Sequence, residues 1–323
     1  MNLLLLAQGL SLKTPSVQNQ TALSRLKLFG ALSRTPHGLL DMATPGLSSL
    51  LWLGTFPPPA VIGLGLMTAF SGYTAVYTLN DVIDYRVDQK KIQGGKLRSP
   101  KHDLDSVFVR HPMAHGMLGH REGIYWMGGW ALLALIGSFL LHPLCTLIFL
   151  IACLLEIIYC LLLRMSYLRG MISGAVKSSG GIAAVFAVDP NPDPLFLVVL
   201  SLWLFFWEIG GQNIPNDWAD LDEDRELQAQ TFPVRFGPQG SLAMIYFSLF
   251  LSLALSLAMD WVAPGKLGLP YLAGALVSGF YFLLLPAHRL YKTKASEEAS
   301  TLFNRASYYP LAMLLVTIIS WKF

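Results

Sequence analysis

Long uncharged runs of apolar residues alternate with polar connections along almost the whole chain. A bilayer core of about 30 Å needs roughly 20 such residues per helix. That ruler predicts nine spans, at 38–56, 59–79, 123–141, 143–163, 170–188, 194–212, 241–259, 267–287 and 306–321. Asp41 and Pro45 interrupt the first, and Pro310 the last. The connections at 57–59, 142–143, 189–194 and 261–270 are short and proline-rich. The remaining polar segments are the N-terminus, 80–122, 164–169, 213–240 and 288–305, and they hold 20 of the 23 Lys and Arg residues. Lys266 and Lys322 fall on the opposite side, and Lys177 lies within a span. Basic residues stay on the cytoplasmic side of a membrane, so the N-terminus and the long polar segments are expected there. An odd number of spans then puts the C-terminus outside.

Composition narrows the class. Of the 323 residues 54% are hydrophobic and only 13% charged, about half the charged share of a soluble domain. This excludes a soluble globule and a disordered chain. The expectation is an all-α polytopic membrane protein forming one domain over 1–323, with residues 1–35 as an N-terminal arm. The opening MNLLLLAQGL lacks a basic flank and a small-residue cleavage site, so it reads as a frayed or interfacial arm rather than a signal peptide. A net charge of +3 gives no reason to expect nucleic acid, and no obligatory protein partner is evident. Cys145, Cys153 and Cys160 form no CxxC pair, which argues against a zinc site or a disulfide framework.

The chemistry concentrates where the second and sixth spans end. Asn80-Asp81-Val82-Ile83-Asp84 continues to Asp88, and Asn216-Asp217-Trp218-Ala219-Asp220 continues to Asp224, both in the form N-D-x-x-D-x-x-x-D. Two copies in equivalent positions suggest two related halves with a site between them. At about 100° per residue, Asp81, Asp84 and Asp88 share one helix face, as do Asp217, Asp220 and Asp224. Three carboxylates on one face repel unless a cation neutralises them. Hard oxygen donors without His or Cys favour Mg2+, which completes its shell with water and substrate phosphates. Asp222 points off that face and reads as a solvated charge.

On these motifs the chain resembles the UbiA superfamily of intramembrane prenyltransferases, with 4-hydroxybenzoate polyprenyltransferases as the comparison. NDVIDYRVD matches the first motif of that family, and NDWADLDED followed by TFPVRFG resembles the second and its adjoining segment. The resemblance implies nine helices around a central cavity, with 80–122 and 213–240 as cytoplasmic active-site loops. It implies Mg2+ held by the six aspartates, an isoprenyl diphosphate as donor, and an aromatic acceptor such as a quinone precursor. Asn80, Asn216, Tyr159, Arg164, Lys177 and Arg34 are then the expected substrate-binding residues. A non-aromatic lipid acceptor, or an ion-coupled transporter, is the alternative. In a bacterium the membrane would be the plasma membrane.

Several positions depart from the family pattern. The segment after the first motif reads His111-Pro112-Met113-Ala114-His115-Gly116, with histidines where relatives carry a basic residue and a serine. Arg110 stands one position earlier and can restore the charge. His102, His111, His115 and His120 are read here as solvated loop histidines. The family's Tyr-x-x-x-Lys becomes Tyr159 with Arg164, one residue late, and Gln228-Ala229-Gln230-Thr231 lacks the basic pair usual after the second motif. Within the spans, Lys177 either meets substrate or snorkels to the headgroups, Glu156 and Glu208 can pair with such cations, and Asp41 is an interfacial group. Tyr73, Tyr77, Trp203 and Trp207 are candidate walls for a carbocation.

Overall fold

The structure, a computed structural model, describes residues 22–93, 104 and 109–321. The N-terminal apolar run, His102 and Lys322 lie outside the described residues. All regular elements among the described residues are helical. Two short helices, α1 (Ala22–Leu32) and α2 (Thr35–Asp41), lead into α3 (Ala43–Leu53). Gly54, at φ +65°, ends α3 in the left-handed conformation that a side chain would strain. Then come α4 (Pro59–Gln93), α5 (His120–Leu141), α6 (Pro143–Leu161), α7 (Arg169–Phe186) and α8 (Pro194–Trp207).

Proline opens α4, α6 and α8. At a first turn its missing N–H would have had no helical partner anyway. Asp193 caps α8, its Oδ1 accepting from the backbone N–H of Leu195 at 2.7 Å and of Phe196 at 3.2 Å. Beyond α8 the chain makes a π-helical turn over Glu208–Asn213 and continues as α9 (Ile214–Ala219) and α10 (Leu221–Glu226). The last helices are α11 (Phe232–Val262), α12 (Gly268–Gly279), α13 (Leu285–Thr293), α14 (Ser296–Ser307) and α15 (Tyr309–Ser320).

Among the described residues, seven segments are long and apolar enough to cross a membrane: Pro59–Ile92, His120–Leu141, Pro143–Arg164, Pro194–Ala219, Phe232–Val262, Gly268–Thr293 and Ser296–Ser320. This differs from the nine expected. The run at 38–56 is broken after Asp41 into α2 and α3, and α3 has only 11 residues. The run at 170–188 becomes α7, whose 18 residues include Lys177 and three serines and lower its apolar character. Both missing segments are present as helices, and α3 packs on α7 and α15.

Within the expected loops 80–122 and 213–240, the motifs themselves are carried on helices. α4 carries the first motif on past Asp88 to Gln93, and α9 and α10 carry the second, separated at Asp220. A core of Trp203, Trp207, Trp218, Leu249, Tyr271 and Tyr309 joins α8, α9, α11, α12 and α15. Outward, Phe139, Leu140, Leu147 and Leu154 are exposed on α5 and α6, as side chains facing lipid would be.

Candidate active site

One cavity of about 510 Å³ runs from the two motifs into the helix bundle. Its mouth is lined by Asp84 and Asp88 of α4, by Asn216, Asp217, Asp220 and Asp224, and by Asn80. Further in it is bounded by Tyr73, Tyr77, Phe149, Glu156, Lys177 and Glu208, then by Gly65, Ala69, Ala184 and Leu314. The polar end thus leads through a mixed layer to an apolar end.

The second motif reaches this mouth because of the π turn. Gly210 and Gly211 within it sit against neighbouring helices. A Cβ on Gly210 would lie 2.8 Å from Ser248 Cβ and 3.0 Å from the Ile245 carbonyl, and one on Gly211 would lie 2.9 Å from Ala306 Cβ. Only glycine permits that approach. A π turn also rotates the chain beyond it relative to a regular helix, and this one directly precedes Asn216 and Asp217.

Cations are built in among the carboxylates. Arg110 grips Asp220 with both guanidinium ends, at 3.2 and 2.7 Å. Burial alone would raise the Asp220 pKa, but Arg110 and Lys91 overcome it and hold that carboxyl at about 2. Asp224 moves the other way, raised by burial and by the neighbouring charge of Asp220. Arg34 Nη2 donates to Asn80 Oδ1 and to Asp81 Oδ1, each at 3.3 Å. Arg169 lies 3.4 Å from Asp217 and stacks 4.0 Å from the Tyr159 ring centroid. Lys91 also lines the mouth.

His111 is not the solvated loop residue expected. It is held at positive φ, and its Nδ1 lies 3.1 Å from Asp88 and 3.5 Å from Asp81. Burial opposes its charge, yet the two carboxylates raise its pKa to about 9. Asp81, Asp88 and His111 present ligand atoms within 4.8 Å of one another. His115, further along the same segment, is exposed, and His120 reaches the Val82 carbonyl at 3.3 Å.

Six carboxylates around a shared mouth, five of them lining the cavity, form an oxygen-rich donor set of the kind hard divalent cations take. His111 Nδ1 sits 3.1 Å from Asp88 and 3.5 Å from Asp81, a position where two carboxylates stabilise positive charge. The residues present therefore fit Mg2+.

Other expected residues take different places. Arg164 is exposed and lies outside the cavity, beside Lys90, Glu223 and Glu226. Arg169 stands where that cation was expected, over Tyr159. Arg164 ends the short turn Leu162–Arg164, whereas Arg169 begins the next helix and folds back over the ring. Nothing local in the sequence marks that. Lys91 was legible, three residues after Asp88 on the same helix face. Lys177 does not snorkel: its Nζ donates to Asp41 Oδ2 at 2.5 Å and to Tyr77 Oη at 3.0 Å. Asp41 is correspondingly buried, not interfacial, and Tyr77 also donates to it. Glu156 accepts from Asn80 Nδ2 at 2.8 Å, and Glu208 from Ser173 Oγ at 2.6 Å. Trp203 and Trp207 are core packing, while Tyr73 and Tyr77 do line the cavity. Asp222 is 81% exposed and faces Arg225 at 4.0 Å. Gln230 N–H donates to the Leu163 carbonyl at 2.7 Å, so the segment that lacks the usual basic pair serves to tie α10 to the end of α6.

Residues 42–308 match the UbiA prenyltransferase family. No curated protein matches the chain. Among solved structures, it is similar to the apo form of a UbiA homologue from Aeropyrum pernix K1, with a TM-score of 0.69 and 17% identity over 88% of this chain and 97% of that one. A UbiA homologue from Archaeoglobus fulgidus bound to DMAPP and Mg2+ gives a TM-score of 0.62 at 14% identity, over 89% and 99%. A digeranylgeranylglyceryl phosphate synthase gives 0.62 at 18%, over 93% and 99%.

Proposed function

The chain belongs to the UbiA prenyltransferase family, and we propose that it moves an isoprenyl group from an isoprenyl diphosphate to an aromatic acceptor at the cavity mouth. The observation that carries this reading is the convergence of both aspartate motifs with Arg34, Lys91, Arg110 and Arg169 on one end of a cavity whose other end is apolar. Diphosphate oxygens would meet the cations and the asparagine amides. The isoprenyl tail would lie along Ala69, Phe149, Ala184 and Leu314.

Asp84, Asp88, Asp217, Asp220 and Asp224, with Asp81 behind them, are the residues that would hold Mg2+. When bound, Mg2+ neutralises charge on the departing diphosphate. The reaction breaks the C1–O bond of the donor, and the bonding pair leaves with diphosphate. The acceptor supplies the electron pair of the new bond to C1 and gives up one proton. Between those events the allylic group is cationic. Tyr73, Tyr77 and Phe149 would face it with aromatic surface and keep water away. The nine-span topology, with both motifs cytoplasmic, completes the reading: α3 with α2, and α7, would add to the seven apolar segments.

A carrier reading is less well supported. Both motifs lie at one end of the cavity, whereas sites in inverted-repeat transporters lie near the midplane. Incubating the purified chain with isoprenyl diphosphates, aromatic acceptors and Mg2+, then analysing products by mass spectrometry, tests the proposal. Prenylated product that disappears on chelation is the expected outcome. Absence of metal-dependent diphosphate release with every donor would sink it.

A further inference from the structure

The histidine brought back onto α4 changes what the first motif offers a metal ion. His111 stands at φ +52°, a left-handed conformation that a residue with a side chain holds only where its surroundings enforce it. Here they do. Met113 and Leu118, on the same segment, are buried with Leu32 against Val82, Tyr85 and Trp126, and the Pro112 carbonyl accepts from the Met117 N–H at 2.9 Å. These contacts anchor the segment on α1, α4 and α5, and Arg110 fastens its other end to Asp220. Between the two anchors the ring is set over Asp81 and Asp88.

Distances and directions there are those of a ligand set rather than of an ion pair. Nδ1 lies 3.1 Å from Asp88 Oδ2 and 3.5 Å from Asp81 Oδ1, yet it forms a hydrogen bond with neither, and the side chain is only 10% exposed. A ring held by charge alone would turn its N–H onto one of those oxygens. Donors about 2.1 Å from a shared ion stand about 3.0 Å apart at a right angle and about 3.4 Å apart at a tetrahedral one. The nitrogen then points at the ion and past the oxygens, which accounts for the missing hydrogen bond. Asp88 and His111 both line the cavity, so an ion enters from the mouth, and Asp81 closes the back of the site. Arg34 donates to Asp81 Oδ1 at 3.3 Å and orients that carboxylate from outside the set.

The donor types select the metal. Mg2+ takes oxygen ligands, whereas an imidazole nitrogen suits first-row transition ions such as Zn2+ and Fe2+. We propose that His111, Asp81 and Asp88 form a mixed nitrogen–oxygen site for a first-row transition dication. In taking the ion the ring is neutral, and the proton it carries passes to water. The second motif, with oxygen donors from Asp217, Asp220 and Asp224, keeps its fit to Mg2+, and the second oxygen of Asp88 can bridge to that ion. The mixed site rests on its own geometry; only its part in neutralising a departing diphosphate rests on the prenyl-transfer reading.

The test uses the full purified chain in detergent, with Zn2+, Mn2+ and Mg2+ as probes and no isoprenyl diphosphate. Substoichiometric Mn2+ should show electron spin-echo modulation from a directly coordinated imidazole nitrogen, and His111→Ala should abolish it. In competition dialysis, His111→Ala should lower Zn2+ affinity about tenfold or more. His111→Asp keeps three donors but replaces nitrogen by oxygen. Its ratio of Zn2+ to Mg2+ affinity should fall about tenfold from that of wild type, while retained Mg2+ binding reports an intact fold. The proposal is overturned if wild type shows no nitrogen modulation, if the modulation survives in His111→Ala, or if His111→Asp leaves the affinity ratio unchanged. Nitrogen-coordinated Mn2+ in a chain that releases diphosphate from no donor would leave the site standing and remove the prenyl-transfer reading instead.

Discussion

Individual side chains around the mouth divide into those that line the cavity and those that do not. Asp84→Ala or Asp220→Ala should each lower turnover by at least about a hundredfold, since an electrostatic contribution of roughly 3 kcal/mol is removed. Asp222→Ala should remain near wild type, because that carboxylate is solvated and 81% exposed. Steady-state kinetics of the three variants decide this, and a large defect in Asp222→Ala would mean that α10 turns differently. A second pair separates two arginines. Arg169→Ala should weaken isoprenyl diphosphate binding by about tenfold, and Arg164→Ala by no more than about twofold, as measured by equilibrium binding. Arg169 is buried between Asp217 and the Tyr159 ring, whereas Arg164 is outside the cavity. An equal loss in both would put Arg164 back at the site. Arg169→Lys should recover little, because an ammonium cannot reproduce a stacked, planar guanidinium.

At the level of helices, the π turn between α8 and α9 positions half of the site. Gly210→Ala forces a methyl against Ser248 and the Ile245 carbonyl, so α8 or α11 must move. Overpacking of this sort costs about 1–3 kcal/mol. Thermal unfolding in detergent should show the loss, together with reduced activity as Asn216 and Asp217 shift; a variant that melts and turns over like wild type would remove the argument. The helical spacing of both motifs is readable directly in the sequence, because three carboxylates at i, i+3 and i+7 can share a face only on a helix. The π turn is not. It depends on the close approach of α11 and α14 to Gly210 and Gly211, and on contacts some 35 to 95 residues away in the chain. The same limit explains His111. A polar, proline-containing neighbourhood suggests a solvated ring, but positive φ at His111 turns it back onto α4. Lys177 likewise has no acid near it in sequence, and its partner comes from the other end of the N-terminal half.

Across the molecule, the cavity tapers from charge to apolar surface, and its deep end should set how much isoprenyl chain is accepted. Ala184 lines that end. Ala184→Phe should shift the preference toward shorter isoprenyl diphosphates, with kcat/KM for the longest accepted donor falling about tenfold and that for the shortest nearly unchanged. A uniform loss across all lengths would show instead that the deep end does not hold the tail. The apolar pattern made the bundle legible from the sequence, since runs of about 20 apolar residues can satisfy every backbone group in hydrocarbon only as helices. Its span count was less legible, because α3 and α7 are completed by each other rather than by their own composition.

That mutual dependence carries over to biogenesis. Seven segments can each leave the translocon for lipid on their own apolarity. α7 is not among them; in the nine-span reading it would take Lys177 with it, and an unpaired lysine at the centre of an inserting helix costs about 2.5–3.5 kcal/mol, with a comparable figure for an aspartate. Asp41 is synthesised 136 residues before its partner. Until α7 emerges, the N-terminal helices therefore hold a carboxylate with Tyr77 and His37 beside it and its lysine still to come. The first helices made should be among the last to settle, released into the bilayer when the lysine arrives to close the pair.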